Sequence, residues 1–349
     1  TTLAARSSSY EMVSMTGSYI ANYVFKSSLA GANYKLNTSG YNGQGFIYIV
    51  YIKYSTEMSD ISTAESKLTN RIERYRQMAT TVRREIIEMC YASQSGHLGG
   101  SLSAVESLIW LYHEELDVYV SNPDAPDRDR FIYSKGHACP VLYSVLSQVG
   151  FINDDPTEEF RRFGGSLPGH SSPKVTGVEF PSGSLGQGFS YANGLAMAAD
   201  LDNIEYQVYS FAGDGEIQEG NVWEAAMTAA DKNLDHVAIV DRNRKQNDLP
   251  VSETMEIEPL REKFESFGWE TFECNGHSFK DIADTFERIH ADDTDNPSLL
   301  ITNTIKGKGV RFMQNKPNGY HAGALTDDEF NEAMESLGFD PKASEVTPR

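Results

Sequence analysis

Between Lys67 and Ser95, apolar side chains recur at Ile72, Tyr75, Met78, Ala79, Val82 and Ile86, at the spacing of one helix face. That spacing predicts a helix with one buried face, ending near Ser95-Gly96. A second helix is predicted from Ser101 to about Leu116 on Leu102, Val105, Leu108, Ile109 and Tyr112. The Pro- and Asp-rich run from Asp117 to Arg130 reads as a loop. Beyond it the period changes. Short apolar runs at Phe131–Tyr133, Gln207–Ala212, Val237–Val240 and Leu299–Thr302 fit strands, with helices near Val141–Val149, Phe189–Ala199 and 221–232 between them. Residues 151–182 are Gly- and Pro-interrupted and read as irregular. Apolar strands alternating with helices indicate an α/β fold, a three-layer α-β-α arrangement on a mainly parallel central sheet. In such sheets, ligands gather at the carboxyl ends of the strands.

The first 57 residues differ. They are rich in Ser, Gly, Asn and Tyr, with one strand-like apolar patch over 46–54. They are expected to be an N-terminal extension, disordered or non-native, ahead of a domain over 58–349. The 30 basic residues against 50 acidic ones give a net charge of −20, which argues against a nucleic-acid-binding surface. No apolar run approaches the ~20 residues of a membrane span, and no leader pattern of basic region, apolar stretch and cleavage site is visible. Cys90, Cys139 and Cys274 are scattered without a C-x-x-C pair, which suits a reducing compartment. The cytoplasm is the expected location.

The candidate chemistry falls where strands end. Gly213-Asp214-Gly215 follows one strand and Arg242-Asn243 the next, separated by room for one helix and one returning parallel strand. Both side chains should therefore emerge at the same sheet edge. A carboxylate, an amide oxygen and nearby carbonyls form a hard oxygen set of the kind Mg2+ prefers. The glycines let backbone approach an anion, and a helix beginning after Gly215 would point its positive end there. Alone, Gly-Asp-Gly is a weak signal, most often just a strand ending in a tight turn. Pro181-Ser-Gly-Ser-Leu-Gly-Gln-Gly188 is a second glycine-rich loop, without the Lys-Ser/Thr ending of a nucleotide P-loop.

Gly-Asp-Gly followed by Asn at this spacing resembles the thiamine-diphosphate-binding motif. The run from Phe211 to Ala225 is similar to the transketolase family in particular. That resemblance implies the diphosphate-binding (PP-type) domain of the thiamine-diphosphate fold, with Mg2+ held by Asp214, Asn243 and the main-chain carbonyl of Lys245. One departure is Arg242, where the family commonly has a first Asn. Four more segments match in order: Ser95-Gly-His97, Lys135-Gly-His137, Pro168-Gly-His170, and His321 after Lys306-Gly-Lys-Gly309. The resemblance implies that these histidines line the cofactor and substrate channel, with His97, His170 and His321 catalytic and His97, His137 and His321 at the cofactor. Imidazole suits such a channel because it changes charge near neutral pH and both donates and accepts hydrogen bonds. His113, His236, His277 and His290 sit in unremarkable contexts and are expected to be structural.

By the same resemblance, Gly183, Ser184 and Leu185 would pack against the cofactor rings and Gly215 would approach the diphosphate. Glu219 would join this cofactor set from the subunit interface. The similarity runs from about Lys67 to Gly338. Complete transketolases are about twice as long, and the part supplying the Glu at the pyrimidine ring has no counterpart after His321. The expectation is therefore one half of a split enzyme, an α2β2 assembly with a separate pyrimidine-binding subunit. It would transfer a two-carbon ketol unit between sugars or sugar phosphates. The α subunit of a 2-oxoacid dehydrogenase also carries Gly-Asp-Gly and a downstream Asn, but would not be expected to carry the three Gly-His segments. A non-catalytic scaffold is the other alternative.

Overall fold

The structure, a computed structural model, describes residues 57–349. The apolar patch at 46–54 and the expected extension lie outside the described residues, Glu57 apart. Helix α1 (Glu57–Ala92) is followed by α2 (Leu98–Ser103), α3 (Val105–Trp110) and a π-helical turn (Leu111–Glu115). Then come β1 (Arg130–Tyr133), α4 (Cys139–Val149), α5 (Pro156–Glu159), α6 (Gln187–Asp202), β2 (Val208–Gly213), α7 (Gly220–Asp231) and β3 (His236–Arg242). The chain continues with α8 (Val251–Thr254), α9 (Leu260–Phe267), β4 (Glu270–Asn275), α10 (Phe279–His290), β5 (Ser298–Asn303), α11 (Arg311–Asn315) and α12 (Asp327–Ser336). A division into two compact units falls inside α1, at Glu73/Arg74, and the unit from Arg74 to Arg349 holds every described strand. Among the described residues, no helix is long and apolar enough to cross a membrane.

The five described strands run parallel in the order β1-β2-β3-β5-β4. Helices cover both faces. On one, Phe189, Ala192 and Ala196 of α6, Val222 and Ala226 of α7 and Phe264 of α9 pack on Ala212, Val240 and Ile301 of the sheet. On the other, Tyr133 stacks on Phe211 at 5.7 Å, and Tyr112 of the π turn meets Phe131 edge-on. Within the larger unit, the predicted α1 face is buried at Tyr75, Ala79, Val82 and Ile86.

One expectation is corrected, and one strand is added to those expected. The helix over Ser101–Leu116 is broken: Ala104 closes a tight turn to Ser101, and the helical segment ends in a wide Leu116-to-Leu111 bond. The break lets the Ser103 hydroxyl bond Asp241 at 2.6 Å, so the interruption serves the site. Strand β4 is an additional strand. Its Glu-Thr-Phe-Glu-Cys-Asn sequence has two acidic residues and, among the described strands, pairs only with β5, as an edge strand can. It carries no apolar run to reveal it.

His236 meets its structural expectation. It is buried at the start of β3, with Ser210 Oγ 2.7 Å from one ring nitrogen and Asn193 Oδ1 3.0 Å from the other. Burial pushes its pKa down to about 3. An unfolded histidine titrates near ~6.5, so the unfolded state takes up the proton first on acidification. Stability contributed here is intact above ~6.5 and falls by about 1.4 kcal/mol per pH unit down to the folded value. His236→Gln should flatten the wild-type acid limb by about that slope between pH 6 and 4. Urea titrations at several pH values measure it; parallel limbs would refute it.

Candidate functional site

The register of β2 and β3 places Gly213 opposite Asp241. Asp214 and Asn243, just beyond, therefore leave adjacent parallel strands at one edge, as their spacing predicted. The Asp214 amide donates to the Asp241 carbonyl at 3.2 Å. Arg244 then takes a left-handed backbone, φ 64°. This curls the loop so that its N–H donates to Asp214 Oδ2 while the Lys245 N–H donates to Asn243 Oδ1 at 3.1 Å. The Lys245 ammonium points elsewhere, to the carbonyls of Gln314 (2.7 Å) and Lys316 (2.9 Å), leaving its main-chain carbonyl at the site. Arg242 also turns away, to Asn303 and Glu273. The residue that stands where a first Asn was expected thus bonds away from Asp214 and Asn243.

A cavity of about 400 Å³ opens over this edge. It is lined by His97, His137, Gly183, Leu185, Asp214, Gly215, Glu219, Asn243, Lys245 and His321 from the expected set. Ser184 is exposed and does not line it. His170 sits at the rim, its ring 5.8 Å from that of His97. His97 is also 5.1 Å from His137 and 5.2 Å from His321, so all four histidines converge. Backbone bonds knit their loops together: Gly99 N to Tyr320 O, Gly307 N to Gly99 O, and Gly323 N to Gly96 O. In Lys135-Gly136-His137 the glycine answers a close approach, since a Cβ at Gly136 would lie 2.4 Å from Ser182. The helix expected directly after Gly215 is instead a 3-10 turn, Glu216–Gln218, and Glu219 stands at the N-cap position of α7. Glu219 is exposed at the cavity mouth.

Periodicity and motif reading missed four buried charges. Lys135, 1% exposed, pairs with Asp241 and donates to Gly100 O at 2.8 Å. Lys306, 3% exposed, donates to the carbonyls of Lys245 (3.1 Å) and Gln246 (2.9 Å) and lies 2.9 Å from His321 Nδ1. Glu216 accepts from Gly186 N at 2.7 Å and Gly213 N at 3.1 Å, and from Ser134 Oγ, joining the glycine loop to two strand ends. Asp241 gathers Lys135, Ser103, Thr304 and Asn243. The available signal for the lysines was that each stands beside a glycine in a segment already singled out for its histidine.

Burial raises the Asp214 carboxyl to about 7, reinforced by the neighbouring Asp241. Desolvation and Lys135 lower Lys306 to about 7. Desolvation would raise Asp241, but Lys135 and the bonds from Lys135, Ser103 and Thr304 hold it below its ordinary value. Dehydration, then Arg161 and His170, lowers His97 to about 4; dehydration, then Lys306, lowers His321 to about 3. His137 and His170 are likewise lowered, by dehydration and then by Lys135 and Arg161 respectively. All four rings are neutral at pH 7. They can donate and accept hydrogen bonds there, but the charge change anticipated near neutrality does not occur in this environment. Among the described residues no three His, Cys, Asp or Glu side chains form a metal cluster. A cation here would rest on one carboxylate, an amide oxygen and a carbonyl, with two ammonium groups facing an anion beside it.

Residues 74–349 match the family described as transketolase, thiamine diphosphate binding domain. The chain is 40% identical over 256 residues to an apulose-4-phosphate transketolase subunit of Phocaeicola vulgatus, covering 73% of this chain and 90% of that protein. It is 37% identical over 261 residues to the 6-deoxy-6-sulfo-D-fructose transketolase subunit SqwG of a Clostridium species, covering 74% and 94%. The crystal structure of Campylobacter jejuni transketolase superposes with a TM-score of 0.70 at 30% identity, covering 78% of this chain and 44% of that longer one. With the family match spanning most of the sequence, and the two subunit relatives matched over nearly their whole length, the chain belongs to the transketolase family through its thiamine-diphosphate-binding domain.

Proposed function

We propose that the chain is the diphosphate-binding subunit of a split transketolase, moving a two-carbon ketol unit from a ketose to an aldose. The observation that carries this reading is the cavity at the strand ends, where Lys135, Lys306, Asp214, Asn243 and the neutral histidines converge. The domain would extend over 58–349, with 1–57 an extension.

The residues fit the cofactor on three counts. Asp214, Asn243 Oδ1 and the Lys245 carbonyl supply hard oxygens for Mg2+, and the carbonyl keeps a second lone pair beside its bond from Lys306. His97 Nδ1 and Gln246 Oε1, both on the cavity wall, are buried without a hydrogen-bond partner. A Cβ at Gly183 would meet nothing within 4 Å, so the glycine loop leaves open room against that wall. Thiamine diphosphate, bound there, supplies the carbon nucleophile that carries the two-carbon unit. This chain's own part is to position and to balance charge. Lys135 and Lys306 would neutralise the charge of the diphosphate, and Gly183 and Leu185 would line the space left for the rings. His97 and His321 hydrogen-bond sugar oxygens as neutral groups, with His170 at the entrance. Glu219, exposed at the mouth, would face the partner.

The partner is a separate subunit with a pyrimidine-binding domain, expected in an α2β2 assembly. Support comes from the names of the relatives, each designated one subunit of a transketolase, which this chain matches over 90% and 94% of their lengths. The same names favour transketolase over the 2-oxoacid dehydrogenase and scaffold readings. The test is to purify the chain alone and with its candidate partner, and to assay ketol transfer with thiamine diphosphate and Mg2+. Turnover is expected only from the mixture. Full turnover by the lone chain would overturn the split arrangement, and none from a stable complex would overturn the activity.

A further inference from the structure

His277 has a second side to it. The ring is buried in the loop between β4 and α10, with Nδ1 3.0 Å from Glu106 Oε2 and Nε2 accepting the Ile305 N–H at 2.8 Å. A backbone N–H can only donate, so Nε2 carries no proton, and the proton shared with Glu106 resides on Nδ1. Arg83 Nη2 also donates to both Glu106 carboxylate oxygens, each at 2.8 Å. Burial would raise the Glu106 carboxyl, but Arg83 and His277 reverse this and bring it down to about 2, so it is a charged acceptor. Arg83 Nε in turn donates to the Lys308 carbonyl at 3.2 Å.

The network thus ends on two backbone groups, the Ile305 N–H and the Lys308 C=O, that flank Lys306. The turn between them is tight: the Lys308 N–H donates to the Ile305 carbonyl at 3.1 Å, with Gly307 at φ +81° inside it. Just beyond it Gly309 has φ +95°, and a Cβ there would lie 3.1 Å from Arg83 Cδ. A buried ion pair adds little net stability compared with apolar residues of the same shape, so stability alone does not account for this one. Its end points do: both sides of the turn are held while the Lys306 side chain reaches into the cavity. We propose that Arg83, Glu106 and His277 form a positioning network, with His277 as the Nδ1-protonated neutral tautomer, that sets the reach of the Lys306 ammonium toward the cofactor diphosphate. The proposal rests on the cavity being the thiamine-diphosphate site.

The test uses the full chain and Mg2+ with inorganic pyrophosphate as the probe. Thiamine diphosphate on the wild type serves as the control for the underlying reading. His277→Ala should weaken pyrophosphate binding by roughly 10–100-fold, the range for groups that orient a ligand-holding residue. Lys306→Ala should weaken it at least as much, and the double variant should bind no more weakly than Lys306→Ala, because His277 acts through Lys306. His277→Gln, whose amide can donate to Glu106 and accept from Ile305, should recover most of the affinity. Additive losses in the double variant, or unchanged binding in a folded His277→Ala protein, overturn the proposal. Should that variant fail to fold, nitrogen-15 spectra of histidine-labelled wild-type chain decide: Nε2 must show an unprotonated signature, and a protonated one overturns it. A wild type binding neither probe defeats the cavity reading instead, while the tautomer measurement still judges the network.

Discussion

Replacing Asp214 with alanine is expected to abolish measurable binding of thiamine diphosphate with Mg2+ while leaving the cofactor-free fold at least as stable as the wild type. Asp214 is 2% exposed and is the carboxylate placed with Asn243 at the shared strand edge. As a direct ligand its removal should exceed the ~10–100-fold loss typical of an outer-shell partner. The stability side follows from its titration. Its folded pKa, about 7, lies above the ordinary 3.8 of an aspartate. Its favourable contribution is therefore complete below the ordinary value and is lost as pH rises through 7. At pH 8 the wild type without cofactor carries a dehydrated charge near Asp241, which the alanine variant lacks. Calorimetric titration at pH 8 measures the affinity. Thermal melts should show the cofactor-induced rise in Tm only in the wild type. Undiminished affinity in Asp214→Ala would remove Asp214 from the ligand set.

Lys135→Met should be the most damaging of the charge deletions for stability. Lys135 and Asp241 are both essentially buried, 1% and 0% exposed, and the variant strands the Asp241 carboxylate. Breaking one side of a buried pair costs about 3–5 kcal/mol, corresponding to a fall in Tm of roughly 10 °C for a domain of this size. Removing both charges in Lys135→Met/Asp241→Asn should restore most of the loss. Because the folded structure lowers the Asp241 pKa, the pair stabilises above an aspartate's ordinary value, and that contribution disappears as pH falls through the lowered one. The deficit of Lys135→Met should therefore be full at pH 7 and shrink toward pH 3. Denaturant unfolding across that range measures it. A loss under about 1 kcal/mol at pH 7 would show that the pair is solvated rather than buried.

The local pattern of the chain was enough to name a parallel, helix-covered sheet, because β1, β2, β3 and β5 are apolar runs whose burial dictates their period. It was also enough to bring Asp214 and Asn243 to one edge, since a strand–helix–strand unit returns its next strand beside and parallel to the last. Glycine-flanked motifs marked four histidines that do meet in space. Tertiary structure alone decided the rest. Strand β4 is held by pairing with β5, and its sequence carries no apolar run. The protonation of the histidines depends on dehydration and on Lys135, Lys306 and Arg161, which come from separate loops. Lys135, Asp241 and Glu216 read as ordinary charges until folding removes them from water, and His277 reads as a loop histidine until Glu106 and Ile305 close on its two nitrogens. Hydrophobic period and turn chemistry are properties of neighbours in sequence. The energy of a buried charge depends on partners that only the completed fold assembles.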